Sequence, residues 1–272
     1  MNTNPLYSQY LARARQQIHR VPILAPLLVW VRQGTKLIHT HGQPLVCPTD
    51  HCLCLPPGEA LEMENLPRPG GLYQAEVFSP PRDWTERFLQ RYGDSLPGQW
   101  QAAPVFACPP PLAAQLTPLL DPQAFDGPLR GPRLEHAWHG VLLVLAQAGL
   151  AGPLFNLKPL TLSQRIQMLL QADLARPWQA GELAQRLGLS ESSMRRTLRQ
   201  EGAGGFASLL AEQRLGAAFA RVMTDQSSLT QIALECGFVS ASHFSQKFRQ
   251  RFGVSPSQLR HSRDREPVPT VN

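Results

Sequence analysis

No stretch of this chain is long and apolar enough to cross a bilayer. The longest apolar run near the start, Val21 to Val31, is interrupted by Pro22 and Pro26, whereas a spanning helix needs about 20 consecutive apolar residues. No signal peptide is legible either. Cysteine is sparse: Cys47, Cys52, Cys54, Cys108 and Cys236 make five, an odd number that does not suit a framework of disulfides. These absences argue against a membrane protein or a disulfide-stapled scaffold. The expectation is a cytoplasmic protein with free thiols in a reducing compartment.

What charge there is lies unevenly. The net charge is +6 over 272 residues, a length that suits two domains with a core each. Residues 161–265 hold 14 Lys and Arg against 8 Asp and Glu, and residues 1–160 hold 12 against 11. Arginine dominates the basic half, as suits bidentate contact with phosphate or guanine. A surface that neutralises phosphates needs such an excess.

Ser228 to Arg260 organises that basic half. Ser228 and, three residues on, Gln231 can cap a helix start reciprocally. Ile232, Ala233 and Cys236 mark its buried face, and Gly237 ends it, since glycine takes a left-handed turn at little steric cost. Ser240 starts a second helix with Phe244, Phe248 and Phe252 as its inner stripe. These rings are read as core rather than a base-stacking platform. The outer face carries Ala241, Ser242, Ser245, Gln246, Arg249 and Gln250. A short helix, a glycine turn and a polar-faced second helix make a helix-turn-helix, whose second helix enters the DNA major groove. Gly253 closes that helix, and Ser255-Pro256-Ser257-Gln258 caps another.

The plan repeats about fifty residues upstream. Leu183, Ala184 and Leu187 form the buried face, Gly188 the turn, Ser190 the start, and Met194 and Leu198 the inner stripe. Ser192, Arg195, Arg196 and Arg199 face outward. Phe206 to Met223 is a longer helix between the two units.

On these residues, over 161–263, the sequence resembles the AraC/XylS family of bacterial transcription regulators. The resemblance implies two recognition helices in successive major grooves, RNA polymerase as a partner, and more often activation than repression. Carried over by position, Ser192, Arg195 and Arg196 meet bases from the first helix, and Ala241, Ser242, Ser245 and Gln246 from the second. Arg199, Arg249 and Arg251 are assigned to phosphates. Arg214 and Arg221, on the connecting helix, are either phosphate contacts or solvated charges. Two positions depart from the family: Gln246 stands where arginine is frequent, and Gln179 where a Ser, Thr or Asp cap is usual.

Ahead of this half, residues 5–20 have helical spacing at Tyr7, Leu11, Ala14 and Ile18. Strand patterns follow at Leu27–Val31, Lys36–His41, Pro44–Val46, His51–Leu55, Ala60–Asn65 and Gly71–Phe78, punctuated by Gly and Pro. They predict a small antiparallel barrel or sandwich. The succession resembles the cupin-like effector domain of the same family, which implies a possible small-molecule effector. Helices are predicted at Asp83–Tyr92, Pro111–Leu120 and Leu134–Leu150, with a proline-rich connection over Leu96–Pro111. The last helix either carries a homodimer contact, as the resemblance implies, or packs on the barrel. The domains are then 1–150, a linker at 151–160, the DNA-binding domain at 161–263 and a tail at 264–272. The fold class is α+β.

His39, His41, Cys47, His51, Cys52 and Cys54 invite a metal or redox reading. Gly34-x4-His39-x-His41 is similar to the first metal motif of cupin enzymes, but Gly42-Gln43-Pro44-Leu45 follows where that motif wants a glutamate. Cys52 and Cys54 share one strand face, and free cysteine is among the most buried residue types. The favoured reading packs the cysteines in the barrel, with histidines at its rim. No metal, cofactor or catalytic residue is assigned. The classes weighed against a ligand-responsive regulator are a cupin metalloenzyme and a regulator whose first domain binds another protein.

Overall fold

The computed structural model describes residues 6–23, 25–39, 43–57, 60–96, 100, 104–121, 123–155, 161–171 and 173–264. The chain divides into two units, one of residues 1–157 with 262–272 and one of residues 158–261.

The first unit has nine strands among its described residues: β1 (Tyr7–Ala12), β2 (Gln16–Pro22), β3 (Leu27–Gln33), β4 (Thr35–His39), β5 (Leu45–Cys47), β6 (His51–Leu55), β7 (Ala60–Leu66), β8 (Tyr73–Phe78) and β9 (Val105–Ala107). They form a five-stranded sheet, β1-β8-β3-β6-β9, and a four-stranded sheet, β2-β7-β4-β5. Neighbouring strands are antiparallel. The strands thus fall in two sheets rather than one closed ring, which is the sandwich alternative.

Helical spacing over residues 5–20 misled. Residues 7–12 and 16–22 are β1 and β2, and β1 pairs from Tyr7↔Phe78 to Ala12↔Tyr73. Ala12, Gln16 and Ile18 are buried while Ala14 is only half-buried, a period of two rather than of 3.6. Partner strands β8 and β7 satisfy this backbone, and such tertiary pairing overrides a weak local pattern. The strand β9 was hidden in the proline-rich connection. It is short and sits at the edge of its sheet, where proline neighbours are tolerated.

Helices α1 (Arg82–Tyr92), α2 (Pro110–Leu116) and α3 (Arg130–Gln147) pack on one face of the larger sheet. Leu28, Trp30, Cys52, Cys54 and Phe78 from the strands share a core with Phe88, Leu116, Leu134, Trp138 and Leu142. The inward residues expected of α3, including Val141 and Leu145, are all in this core, so for them the packing reading holds. A further turn of helix, α4 (Gly152–Phe155), occupies the start of the expected linker, and its Leu154 is buried in the same core. The remainder of that linker, 156–160, and the tail from 265 lie outside the described residues.

The second unit is helical: α5 (Leu162–Gln171), α6 (Ala180–Arg186), α7 (Glu191–Gln200), α8 (Phe206–Thr224), α9 (Leu229–Glu235), α10 (Ala241–Phe252) and α11 (Pro256–Asp264), the last running past residue 261. Thr161 and Gln164 cap α5 reciprocally: Thr161 N donates to Gln164 Oε1 at 3.0 Å, and Gln164 N to Thr161 Oγ1 at 3.2 Å. Phe244, Phe248 and Phe252 are fully buried, with Phe219 of α8 5.0 Å from Phe252 and 6.2 Å from Phe248, centroid to centroid. Burying each ring is worth about 1.5–3 kcal/mol, so this stripe fixes α10 on α8 and leaves its other face free.

Candidate nucleic-acid interface

The first candidate surface is built by α6 and α7. Gln179 precedes α6 with extended backbone and makes no side-chain cap, in line with the weak start expected. Glu182 in the first turn pairs with Arg176 and, at 3.1 Å, with Arg186. Gly188 makes the turn at φ 69°. Ser190 Oγ then accepts from Ser193 N at 3.2 Å, fixing where α7 begins. Because Met194 and Leu198 point into the core, Ser192, Arg195, Arg196 and Arg199 are left exposed, and they share one open surface with Glu191 and Gln200. Arg195 is held by Glu191 at 2.7 Å, a surface pair worth about 0.3–0.5 kcal/mol that a nucleic acid can displace cheaply. Arg196 and Arg199 have no acidic partner among the described residues.

The second surface repeats this on α9 and α10. Ser228 Oγ accepts from Gln231 N at 3.1 Å, but the reciprocal half of that cap is absent. Gln231 Nε2 turns instead to Glu235 Oε1 at 2.8 Å, one helical turn on. Gly237 makes the turn at φ 83°, and Ser240 Oγ accepts from His243 N at 3.2 Å. Ser242, Gln246 and Arg249 are exposed, and Ala241 and Ser245 half-buried. His243 and Lys247 are exposed on the same helix; their spacing from Ser242 and Gln246 was the available signal, and the sequence reading passed over them. Thus all nine named residues lie on two capped helices, and seven are exposed.

Three arginines do other work. Arg251 is nearly buried and bonded to Glu212 of α8 at 2.6 Å, so it ties α10 to α8 rather than meeting phosphate. Arg214, expected as a phosphate contact or a solvated charge, is tied to the backbone. Its Nε and Nη2 donate to the carbonyls of Leu174 and Arg176 at 2.9 and 3.0 Å. Arg221 is bonded to Asp225 at 2.9 Å and to Glu235 at 2.5 Å, joining α8 to α9.

The histidines and cysteines of the first unit's cluster do not, among the described residues, converge on a metal site. Among the described residues, no group of three His, Cys, Asp or Glu is disposed to hold an ion; His41 lies outside them. His39 Nε2 is 3.0 Å from Glu64 Oε1, and His51 Nδ1 is 3.0 Å from the Thr49 carbonyl. Cys52 and Cys54 are buried under the helices, not in the space between the sheets, which corrects the reading of them as barrel-filling. The sequence reading also missed the polar interior. Lys36, Glu64 and Glu76 are 8, 4 and 1% exposed, and Lys36 Nζ donates to Asn65 Oδ1 at 2.9 Å, whose Nδ2 donates to Gln16 Oε1 at 2.8 Å. Burial lowers the Lys36 ammonium to about 8.

Two N-capped helices, each with a polar and basic outer face, define a double helix-turn-helix domain. Residues 183–262 match a helix-turn-helix domain family of the AraC type. The chain's relatives are regulators of transcription. The HTH-type transcriptional activator FapR of Escherichia coli is 32% identical over 106 residues, 39% of this chain and 40% of that protein. The HTH-type transcriptional regulator ExsA of Pseudomonas aeruginosa is 25% identical over 237 residues, 82% and 84% of the two chains. The chain thus spans less than half the length of FapR and most of ExsA. Over both units the fold is that of ToxT from Vibrio cholerae, with TM-score 0.65 and 15% identity, covering 95% of this chain and 98% of that one. The unsaturated fatty acid-bound form of ToxT matches at TM-score 0.61 and 15% identity, over 95% of each chain.

Proposed function

We propose that this protein is a sequence-specific DNA-binding regulator of transcription, acting by binding rather than catalysis, in the cytoplasm at the nucleoid. The observation that carries the proposal is the pair of capped helices α7 and α10, each clamped by an apolar stripe and free on its polar face. Ser192, Arg195 and Arg196 read one segment of the major groove, and Ala241, Ser242, Ser245 and Gln246 the next. Arg199 and Arg249 bind phosphate and set the register. Residues 161–263 are the DNA-binding domain and residues 1–150 the sensing domain.

For the sensing domain we propose a small-molecule effector. Support comes from the fatty acid found in ToxT, and Lys36 is a buried positive group that an anionic effector would pair with. Activation through RNA polymerase and a homodimeric state complete the proposal, on the family resemblance. The test is competition between a selected site and random duplex DNA at physiological salt. A preference of about a thousandfold or more is expected of a specific regulator; a ratio near one would overturn the proposal.

A further inference from the structure

Beyond DNA recognition, the strand register of the first unit brings two thiols to one face of the larger sheet. Cys52 lies in β6 directly opposite Phe106 of β9, in the register His51↔Ala107, Cys52↔Phe106, Leu53↔Val105. Cys108 follows two residues after Phe106, so the alternation of strand side chains puts it on the same face as Cys52, in the diagonal position. Its backbone is held there, since Cys108 N donates to the Asp50 carbonyl at 2.9 Å. Both side chains join the core between the larger sheet and its helices. Both are free thiols; Cys52 is fully buried and Cys108 only half-buried.

The chemistry of the pair is asymmetric. Hydrogen bonding from Cys52 and the charge of Arg32 lower the Cys108 thiol against the pull of burial and of the Asp50 carboxylate. That same bond, with burial behind it, pushes Cys52 up. Burial holds Cys54 up at about 12, and Cys47 as well, Lys36 offsetting it in part. The more accessible sulfur is thus the one that more readily becomes a thiolate, and the thiolate is the nucleophile.

We propose that Cys108 and Cys52 form an oxidation-sensitive dithiol that a hydroperoxide converts to a disulfide. The Cys108 thiolate attacks the peroxide O–O bond, taking one oxygen to become a sulfenic acid and releasing hydroxide, or an alkoxide from an alkyl hydroperoxide. The Cys52 thiol then attacks the sulfenic sulfur, forming the S–S bond and expelling water. Sulfur is oxidised and peroxide reduced by two electrons. Closure to an S–S bond of about 2.05 Å ties the edge strand β9 to β6, immediately before Pro109 and the start of α2.

The test treats the full-length protein with hydrogen peroxide, blocks remaining thiols and maps cross-linked peptides by mass. The expected product is an intramolecular Cys52–Cys108 disulfide, with Cys108 lost about tenfold faster than Cys54 or Cys236. In the Cys52→Ala variant, a sulfenic-acid trap such as dimedone should label Cys108. Because Cys52 is buried, Cys108→Ser, at the more exposed position, provides the second check: it should suppress oxidation of Cys52. Cross-linking of another pair, a disulfide between two chains, or oxidation of Cys108 no faster than of Cys236 would each overturn the proposal.

Discussion

A Cβ atom on Gly237 would lie 2.6 Å from Arg214 Nε and 2.5 Å from the carbonyl oxygen of Leu174. The turn of the second helix-turn-helix therefore closes onto the connecting helix α8, at the point where Arg214 grips the backbone leading into the first. One arginine and one missing side chain hold two recognition units in a single helical body.

Gly237→Ala should cost about 2–5 kcal/mol. The left-handed backbone is strained for any residue with a Cβ by about 1–2 kcal/mol, and forcing a methyl against a backbone carbonyl adds about 1–3 kcal/mol. Denaturant unfolding followed by helical signal measures it. A loss under about 0.5 kcal/mol would mean that the turn moves away freely.

Phe248→Ala empties the centre of the aromatic stripe. Truncating a large buried ring costs about 3–5 kcal/mol, and α10 should detach from α8 with loss of DNA binding. An unchanged melting curve would contradict the packing assigned to that helix.

Arg249→Ala should weaken binding to selected and random DNA alike, because a phosphate contact carries no sequence information. The slope of log affinity against log salt should fall by about 0.9 for the one phosphate lost. Loss confined to the selected site would make Arg249 a base contact.

Asp225 sets an acid limit. Burial pulls its pKa up, but hydrogen bonds from the Ser227 amide and hydroxyl and from Arg221 outweigh this and hold it at about 2, against an ordinary 3.8. A carboxylate depressed on folding stabilises above its unfolded value, and the contribution disappears as pH falls through the folded one. Asp225→Asn should therefore lower stability near neutrality, with the difference from wild type shrinking between pH 4 and 2. A pH-independent difference would remove the ionic role.

Much of the DNA-binding half was legible because its signals are local. Serine caps, turn glycines and an every-fourth-residue apolar stripe act within one helix and its neighbour, so Ser190, Ser240, Gly188 and Gly237 could be placed from spacing alone. Side chains with distant partners could not. Arg214 and Arg251 look like any other outward arginine until the carbonyl of Leu174 and the carboxylate of Glu212 are seen beside them. In the first unit, β1 was unreadable because its partner, β8, comes more than sixty residues later. The buried Lys36 was missed for the same reason: what makes it tolerable is Asn65 on a neighbouring strand.

The most direct measurement is selection of bound sequences from fragmented bacterial DNA, with the full-length wild type, Arg196→Ala and Gln246→Ala in parallel. The account predicts one asymmetric motif from the wild type, in two parts about one helical turn apart. Arg196→Ala should relax one part, at a cost of about 1–3 kcal/mol for the lost base contact, and Gln246→Ala should relax only the other. No enriched sequence from the wild type, or equal loss across both parts in both variants, would contradict it.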